Sequence, residues 1–253
     1  MQKFKLILLA TFFLFTARVF GQKNTLSFKK FVHISKMDTL PYALLSPTGL
    51  EVYKKYPLVI FLHGAGERGN DNESQTRHVP LLFNKNTLIQ YPAFVVAPQC
   101  PKGKTWSSIK SGTFNASPTQ PMKSFLEVLD KLMDDYPIDP TRIYITGVSM
   151  GGYGTWDLMA RFPNRFAAAV PVCGGGDENT ASRIQHIPVW VFHGALDKIV
   201  LPERSRNMVK ALREAGGSPE YTEYPDVKHD SWKRAYKDPN LLPWMFTQHL
   251  KEK

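Results

Sequence analysis

The sequence is poor in cysteine and has no apolar run long enough to cross a bilayer. Two cysteines in 253 residues are too few for a disulfide-rich scaffold. The mostly apolar run at residues 6–15 is well short of the roughly 20 residues that a membrane-spanning helix needs. Internal repeats and low-complexity tracts are absent as well. These absences favour a globular chain, and an apolar content of 43% is enough for a sizeable core.

The first 21 residues have the pattern of a secretory signal peptide. Lys3 and Lys5 precede the apolar run, and residues 19–21 suit cleavage between Gly21 and Gln22. A membrane anchor is the alternative interpretation, but the run is short and no cysteine follows it for lipid attachment. We therefore expect a secreted or periplasmic protein without a stable membrane anchor after cleavage. The remaining residues, 22–253, are expected to form one domain.

The chain is strongly basic, although it has no dense basic run interleaved with aromatic residues. Its formal net charge is +10, and cleavage after Gly21 removes three basic residues and no acid, which leaves +7. Such a surface can attract an acidic polysaccharide or an anionic lipid, or it can consist only of solvated lysines. No nucleic-acid partner is indicated.

Apolar runs that are typical of strands alternate with runs of helical periodicity. "PLVIFLHG" (57–64) is uninterrupted, as in a strand buried on both faces. Apolar residues between Met122 and Tyr136 recur at helical spacing. Further strands are expected at "FVHI", "LPYALLS", "AFVVAPQ", "RIYITG", "AAAVPVC", "IPVWVFHG" and "EYTEYP", and further helices at residues 149–161, 202–215 and 241–250. This alternation predicts an α/β fold with a doubly wound, mostly parallel sheet.

The stretch "RIYITGVSMGGYGTW" places a serine between glycines, after a predicted strand and before a predicted helix. Residues Gly147 to Gly151 match the pattern G-x-S-x-G of a nucleophile elbow. In that turn the serine hydroxyl is lifted above the sheet, and the flanking positions are too crowded for side chains. We therefore expect Ser149 to be a nucleophile, and a structural turn serine is the alternative.

A serine nucleophile needs a base, and the base needs an acid that fixes its tautomer. In a fold of this kind the order along the chain is serine, acid, histidine. Asp197 follows the predicted strand "IPVWVFHG" and His229 follows the last strand, so both are expected beside Ser149 at the carboxyl edge of the sheet. Asp177 and Asp226 are the alternatives for the acid, but Asp226 is close in sequence to His229.

The other histidines are weaker candidates for the base. His63 and His193 end predicted strands, where a histidine more often orders a loop than accepts a proton. The remaining four lie near the chain ends, before a strand or in a polar stretch: His33, His78, His186 and His249. His229 is therefore the predicted base.

The oxyanion that develops during acyl transfer needs preorganised N–H donors. The backbone N–H of Met150, directly after the serine, is the first expected donor. The second is the Ala65 N–H, because "HGAG" after the third strand resembles an HGGG-type loop. A phosphate cradle is the alternative, but the lysine and Ser/Thr of a P-loop are missing. We expect no metal and no cofactor, because the nucleophile, the base and the oxyanion donors are all protein groups.

Five blocks of the sequence together resemble a known family: "PLVIFLHGAGERGNDN", "VVAPQCP", "IDPTRIYITGVSMGGYGTW", "HGALDKIV" and "KHDSWKRAY". They are similar to secreted bacterial α/β-hydrolase carboxylesterases, which are related to dienelactone hydrolases, phospholipase/carboxylesterases, feruloyl and acetylxylan esterases and polyhydroxybutyrate depolymerases. The resemblance, over residues 40–253, implies a single α/β-hydrolase catalytic domain. It also implies that Trp232 and Tyr236 pack the histidine loop and that Trp106 borders the substrate cleft, with simple packing as the alternative for each. Trp232 is a second candidate for the lining of the cleft.

The resemblance further implies a strand order that separates the two cysteines. Cys100 and Cys173 would follow strands with two others between them, about 14 Å apart, which is too far for a disulfide. Two free, buried thiols are therefore expected. Caps in this superfamily usually enter after the strand that follows the nucleophile helix, and only about 16 residues (173–188) separate the strands there. An open cleft without a cap is expected.

Export, an open cleft and the aromatic loop at residues 99–121 favour a carbohydrate-linked or other bulky ester, with an acetyl or feruloyl acyl group, as the substrate. The expected partner is therefore a small-molecule or polysaccharide-linked ester. A serine peptidase of the prolyl-oligopeptidase kind is the alternative, because it uses the same triad order, although its large gating domain has no counterpart here. A third hypothesis is a non-enzymatic binding module on a retired hydrolase scaffold. The sequence makes no prediction of the oligomeric state.

Overall fold

The computed structural model describes residues 26–35, 38–109 and 114–250. The predicted signal peptide and its cleavage site, between Gly21 and Gln22, lie outside these residues. No helix within the three described ranges is long and apolar enough to cross a membrane.

A single sheet runs through the molecule, and its eight described strands are ordered β1-β2-β4-β3-β5-β6-β7-β8. The pairs β1–β2 and β2–β4 are antiparallel, and all other pairs are parallel. The fold is therefore the predicted mostly parallel α/β-hydrolase architecture. The strands are Lys29–Ile34 (β1), Thr39–Leu45 (β2), Tyr56–Leu62 (β3), Phe94–Pro98 (β4), Ile138–Val148 (β5), Ala168–Val172 (β6), Trp190–Gly194 (β7) and Glu220–Tyr224 (β8).

Helices cover both faces of this sheet, which explains why every residue of β3 is buried. Side chains of a strand alternate between the two faces. Accordingly Leu58 and Ile60 belong to one apolar core, and Val59 and Phe61 belong to the other. The helices are Val79–Leu82 (α1), Lys85–Gln90 (α2), Gln120–Asp135 (α3), Met150–Arg161 (α4), Ala181–Ile184 (α5), Glu203–Glu214 (α6), Trp232–Ala235 (α7) and Leu241–Phe246 (α8).

The last helix is shorter than the predicted span of residues 241–250, because α8 ends at Phe246. Beyond it the backbone bonds to β5 instead of continuing the helix. The Tyr144 hydroxyl donates to the Gln248 carbonyl over 2.9 Å, and the Leu250 N–H donates to the Thr141 carbonyl over 2.9 Å. These contacts fix residues 248–250 against the sheet.

The arrangement of the connections agrees with two further predictions. Cys100 follows β4 and Cys173 follows β6, with β3 and β5 between these strands, and both cysteines are free and buried. The prediction of two free thiols is confirmed. The connection from β6 to β7 contains only the 3₁₀ turn Glu178–Thr180 and α5. It is too short to hold a cap.

Candidate active site

Ser149 lies in the tight turn between β5 and α4. Its backbone has φ 54° and ψ −112°, a region that costs a non-glycine residue about 1–3 kcal/mol. The neighbouring glycines are required by the closeness of other backbone atoms. A Cβ on Gly151 would lie 1.9 Å from the Leu62 carbonyl oxygen, and one on Gly147 would lie 2.4 Å from the Gly151 oxygen. The turn therefore has the crowded geometry of a nucleophile elbow.

The structure brings the three predicted triad residues into one hydrogen-bonded chain. His229 Nε2 lies 2.9 Å from Ser149 Oγ, and His229 Nδ1 lies 2.7 Å from Asp197 Oδ2. A carboxylate can only accept, so Nδ1 carries the proton of the neutral ring. Nε2 is therefore free to accept the hydrogen of the serine hydroxyl.

The Asp197 carboxylate is held by groups on its own loop. Oδ1 accepts from the N–H groups of Ile199 at 2.8 Å and Val200 at 3.0 Å. The second oxygen, Oδ2, lies 3.2 Å from Nε2 of the fully buried His193. Burial lowers the pKa of His193, so its ring is neutral. Its Nε2 also lies 2.9 Å from the Val200 carbonyl, and with two acceptors beside it this nitrogen carries the proton.

His193 therefore contacts the Asp197 carboxylate. The sequence alone predicts only a loop-ordering role for this histidine. Its Nδ1 lies 2.7 Å from Ser205 Oγ, at the start of α6. One sequence feature could have indicated this contact. His193 lies at the end of the predicted strand that precedes Asp197, four residues before the aspartate.

The two alternative acids have other structural roles. Asp177 accepts from the Phe114 N–H over 2.7 Å and caps the following 3₁₀ turn. Asp226 is exposed and forms an ion pair with Arg234 over 2.7 Å. His229 is bonded to neither of them.

The two predicted oxyanion donors begin short helical segments. Met150 is the first residue of α4, and Ala65 is the first residue of the 3₁₀ turn Ala65–Glu67. First-turn N–H groups have no acceptor within their own helix. Both amides are therefore available at the carboxyl edge of the sheet, where β3 and β5 end side by side.

Comparison with known proteins places the chain in a family. Residues 51–239 match the model of the phospholipase/carboxylesterase family. The chain belongs to this family.

The relatives and solved structures that resemble this family member include several esterases. A bifunctional acetylxylan esterase/xylanase, XynS20E, from Neocallimastix patriciarum is 26% identical over 77% of this chain and 28% of its own length. Poly(3-hydroxyalkanoate) depolymerase C from Paucimonas lemoignei is 27% identical over 64% of this chain and 39% of its own length. The crystal structure of a thermostable esterase is 42% identical, with a TM-score of 0.83, and the match covers 88% of this chain and 63% of that one. The chain spans less than half the length of these two curated relatives.

The predicted oxyanion loop of this phospholipase/carboxylesterase family member is anchored by His63. Its Nδ1 lies 2.6 Å from the Gly64 carbonyl, and its Nε2 lies 2.9 Å from the Cys100 N–H, which can only donate. The ring is therefore neutral, with its proton on Nδ1. Burial lowers the pKa of His63 to about 4, which fits this arrangement.

This buried histidine makes the stability of the fold sensitive to acid. Between pH 6.5, the ordinary pKa of histidine, and about 4, the unfolded chain binds a proton that folded His63 does not bind. The free energy of unfolding is therefore expected to fall as the pH falls, with a contribution from His63 of about 3 kcal/mol by pH 4. Urea unfolding of wild type and His63→Gln at pH 7 and pH 4.5 measures it.

The substitution His186→Gln, at an exposed histidine, is the matched control for this prediction. His63→Gln should lower the stability at pH 7 and show a smaller pH dependence than wild type, and His186→Gln should behave as wild type. A pH dependence that is unchanged in His63→Gln would contradict the assignment.

The prediction that Trp106 borders the cleft is wrong, because its side chain is fully buried. The indole lies beneath the oxyanion loop and donates from Nε1 to the His63 carbonyl over 3.1 Å. It also packs against α4 at Gly154, where an added Cβ would lie 2.7 Å from the Trp106 Cβ. Trp106 therefore supports the loop that carries Ala65 and presents no surface to a substrate.

Replacing Trp106 by phenylalanine keeps most of the ring but removes its N–H. We expect a loss of about 1–3 kcal/mol in the free energy of unfolding, because the His63 carbonyl is left buried without that donor. A lower kcat should accompany it, since the loop that carries Ala65 is less well held. Urea unfolding and ester hydrolysis measure the two effects.

The matched control is Trp156→Phe, because Trp156 Nε1 is buried and has no hydrogen-bond partner among the residues that the structure describes. This control loses no hydrogen bond and should be the more stable and more active of the two variants. Equal losses in both variants would show that ring volume, and not the bond to His63, is the cause.

Trp232 and Tyr236 lie on the segment that follows His229, as the resemblance implied. The Trp232 ring stands at 90° to the His229 ring, with centroids 5.5 Å apart, and it also contacts His78. The Tyr236 hydroxyl is 2.9 Å from Thr146 Oγ1 on β5. These contacts attach the segment around α7 to the sheet and limit the movement of the His229 ring.

One group of three potential metal ligands is found in the described part of the chain: Cys173, Asp197 and His229, whose ligand atoms lie within 4.8 Å of one another. Asp197 and His229 are already bonded to each other. Burial raises the pKa of the Cys173 thiol, so it is protonated, whereas a metal binds the thiolate. Hydrogen bonding within the predicted triad accounts for the short distance between Asp197 and His229.

Proposed function

We propose that this protein is a secreted serine hydrolase of carboxylic esters that works through an acyl-enzyme. The observation that carries the proposal is the hydrogen-bonded chain from Ser149 through His229 to Asp197, in a turn whose nucleophile has a strained backbone. Membership of the phospholipase/carboxylesterase family supports the same chemistry.

In the first half of the reaction His229 Nε2 takes the proton of Ser149 as Oγ attacks the ester carbonyl. The resulting imidazolium is stabilised by the buried Asp197 carboxylate. The N–H groups of Ala65 and Met150 receive the developing oxyanion, and the positive end of the α4 dipole favours the same charge. His229 then gives its proton to the departing alcohol, which leaves an acyl group on Ser149.

In the second half a water molecule replaces the alcohol. His229 takes a proton from this water, which attacks the acyl carbonyl, and the second oxyanion is bound at the same two N–H groups. Collapse of this intermediate returns the proton to Ser149 Oγ and releases the carboxylic acid. The nucleophile, base and oxyanion donors in these steps are all protein groups.

Esters attached to a carbohydrate or another bulky group are the proposed substrates. The acetylxylan esterase relative and the poly(3-hydroxyalkanoate) depolymerase relative are named for polymeric substrates. The short connection between β6 and β7 leaves out a cap, which suits an ester on a bulky carrier. The predicted leader at residues 1–21 supports export to the periplasm or the medium.

Hydrolysis of 4-nitrophenyl acetate, methyl ferulate and an N-acylated amino-acid 4-nitroanilide tests the proposal. We expect turnover of an ester, with a first burst of 4-nitrophenol that is stoichiometric with enzyme if deacylation is slow. A fluorophosphonate probe should label the peptide that contains Ser149. Faster hydrolysis of the anilide than of both esters would favour the peptidase, and no turnover by folded protein would favour a binding scaffold.

A further inference from the structure

A cationic side chain contacts the side chain of Met150, whose backbone N–H is a predicted oxyanion donor. Arg68 is three residues after Ala65 on the same loop, and its Nε donates to Met150 Sδ over 3.2 Å. The guanidinium is therefore fixed next to the residue that supplies the other oxyanion donor. Its side chain is half-buried, and it has no role in the mechanism above.

The two acids that are nearest to Arg68 in sequence are bound elsewhere. Glu67 is buried and faces His78 at 3.4 Å and Arg77 at 3.6 Å. Asp71 accepts from Ser74 and Gln99.

Arg68 itself forms no ion pair with any described residue, and its bond to Met150 is its one hydrogen bond within them. The sequence has a single acid outside the described ranges, Glu252 at the end of the chain. Within residues 26–35, 38–109 and 114–250, the positive charge of Arg68 therefore has no carboxylate partner.

The way in which Arg68 is held selects the ligand that it can bind. Because Nε is used by Met150, the two terminal nitrogens, Nη1 and Nη2, remain as a fork of donors. Such a fork matches the two oxygens of a carboxylate. A guanidinium that is already held in place also loses less rotational freedom on binding.

We propose that Arg68 forms an anion-recognition subsite, so that the preferred esters carry a carboxylate close to the scissile bond. Half-esters of dicarboxylic acids and esters of uronate-bearing alcohols have this chemistry. The inference rests on the proposed ester hydrolysis and specifies its substrate class. The net positive charge of the chain would add a long-range attraction to the same substrates, which the test must separate from local binding.

The test compares kcat/KM for two pairs of esters. Mono-4-nitrophenyl succinate against 4-nitrophenyl butyrate places the charge on the acyl side. 4-Acetoxybenzoate against phenyl acetate places it on the alcohol side. The measured quantity is the ratio of anionic to neutral kcat/KM for each pair, which does not depend on the fraction of enzyme that is folded.

Arg68→Gln should lower this ratio by about tenfold or more for at least one pair, as expected for the loss of a charge-assisted hydrogen bond. The affected pair identifies the side of the ester that carries the anion. Arg68→Lys keeps the charge without the fork and should give an intermediate ratio.

Arg183→Gln is the matched control, because it removes the same charge at a distance. Arg183 lies at α5, where its guanidinium stands over Phe114 near the far end of α4, roughly 18 Å along that helix from Ser149. The ratio should be unchanged in this variant.

Three results would overturn the proposal. An unchanged ratio for both pairs in Arg68→Gln excludes the subsite. If kcat/KM falls equally for the anionic and the neutral esters in Arg68→Gln, Arg68 acts in loop structure or oxyanion stabilisation. If the ratio of anionic to neutral kcat/KM falls as much in Arg183→Gln as in Arg68→Gln, the preference comes from the overall charge. Wild-type enzyme that hydrolyses none of the four esters would instead refute the ester hydrolysis itself, and the subsite with it.

Discussion

Replacing Ser149 by alanine is expected to lower kcat for 4-nitrophenyl acetate by about 10⁴-fold or more. The variant keeps the base, the acid and the oxyanion N–H groups, but it has no atom that can form the acyl-enzyme. Any remaining hydrolysis would be water attack assisted by the oxyanion donors alone, without a burst of 4-nitrophenol. Stopped-flow absorbance measures both the burst and the steady-state rate.

Ser124→Ala is the matched control for this prediction. Ser124 is a buried serine of α3 whose hydroxyl has no hydrogen-bond partner in the described part of the chain, so the substitution is the same but no such bond is lost. Its activity should stay within about twofold of wild type. Retention of more than a few per cent of wild-type activity in Ser149→Ala would mean that another group is the nucleophile.

The substitution Asp197→Asn is expected to reduce kcat by about 10³- to 10⁴-fold while the fold is kept. The asparagine oxygen can still accept from the N–H groups of Ile199 and Val200, which now bind Oδ1. The amide NH₂ must then occupy the place of Oδ2 and donate to His229 Nδ1. This moves the histidine proton to Nε2, which can no longer accept from Ser149.

Asp226→Asn separates this effect from the loss of any nearby acid. Asp226 is one of the two alternative acids in the sequence, and in the structure it is exposed and paired with Arg234. Its variant should hydrolyse 4-nitrophenyl acetate at close to the wild-type rate. The opposite pattern, in which Asp226→Asn is inactive and Asp197→Asn is active, would refute the proposed triad.

The triad could be predicted from the sequence because its positions follow from the order of strands. Ser149, Asp197 and His229 each follow a predicted strand within a few residues, and parallel strands bring their carboxyl ends to one edge. The structure places all three there and joins them by hydrogen bonds. Their chemical roles remain the proposal that the two substitutions above test.

The position of Trp106 could not be predicted in the same way. The described residues of its segment, 99–109 and 114–119, form no helix or strand, so no periodicity indicates which side of the loop its ring takes. Its burial depends on Gly154 of α4 and on the His63 carbonyl, which are distant in sequence. The proposed role of Arg68 was missed for a related reason. Whether an arginine forms an ion pair depends on the directions in which the neighbouring carboxylates point, and the sequence does not indicate these directions.

Short helices in loops were also missed, although one of them has a local signal. The helix α2 is stabilised by a capping box between Asn84 and Thr87, a pattern that can be recognised in sequence. The helix α1 has four residues and no side-chain cap, so tertiary packing of Val79 and Leu82 fixes it. The end of α8 is likewise set by bonds to β5 rather than by a local stop signal.

The short connection between β6 and β7 has a consequence for the kinetics. Enzymes with a lid must open it before product leaves, and this motion often limits their turnover. Here that connection holds only a 3₁₀ turn and the four-residue helix α5, so no lid enters at this point. Substrate exchange at Ser149 should then be fast relative to acyl transfer. For small activated esters, added viscogens such as sucrose should leave kcat unchanged, because the slow step is then a chemical one.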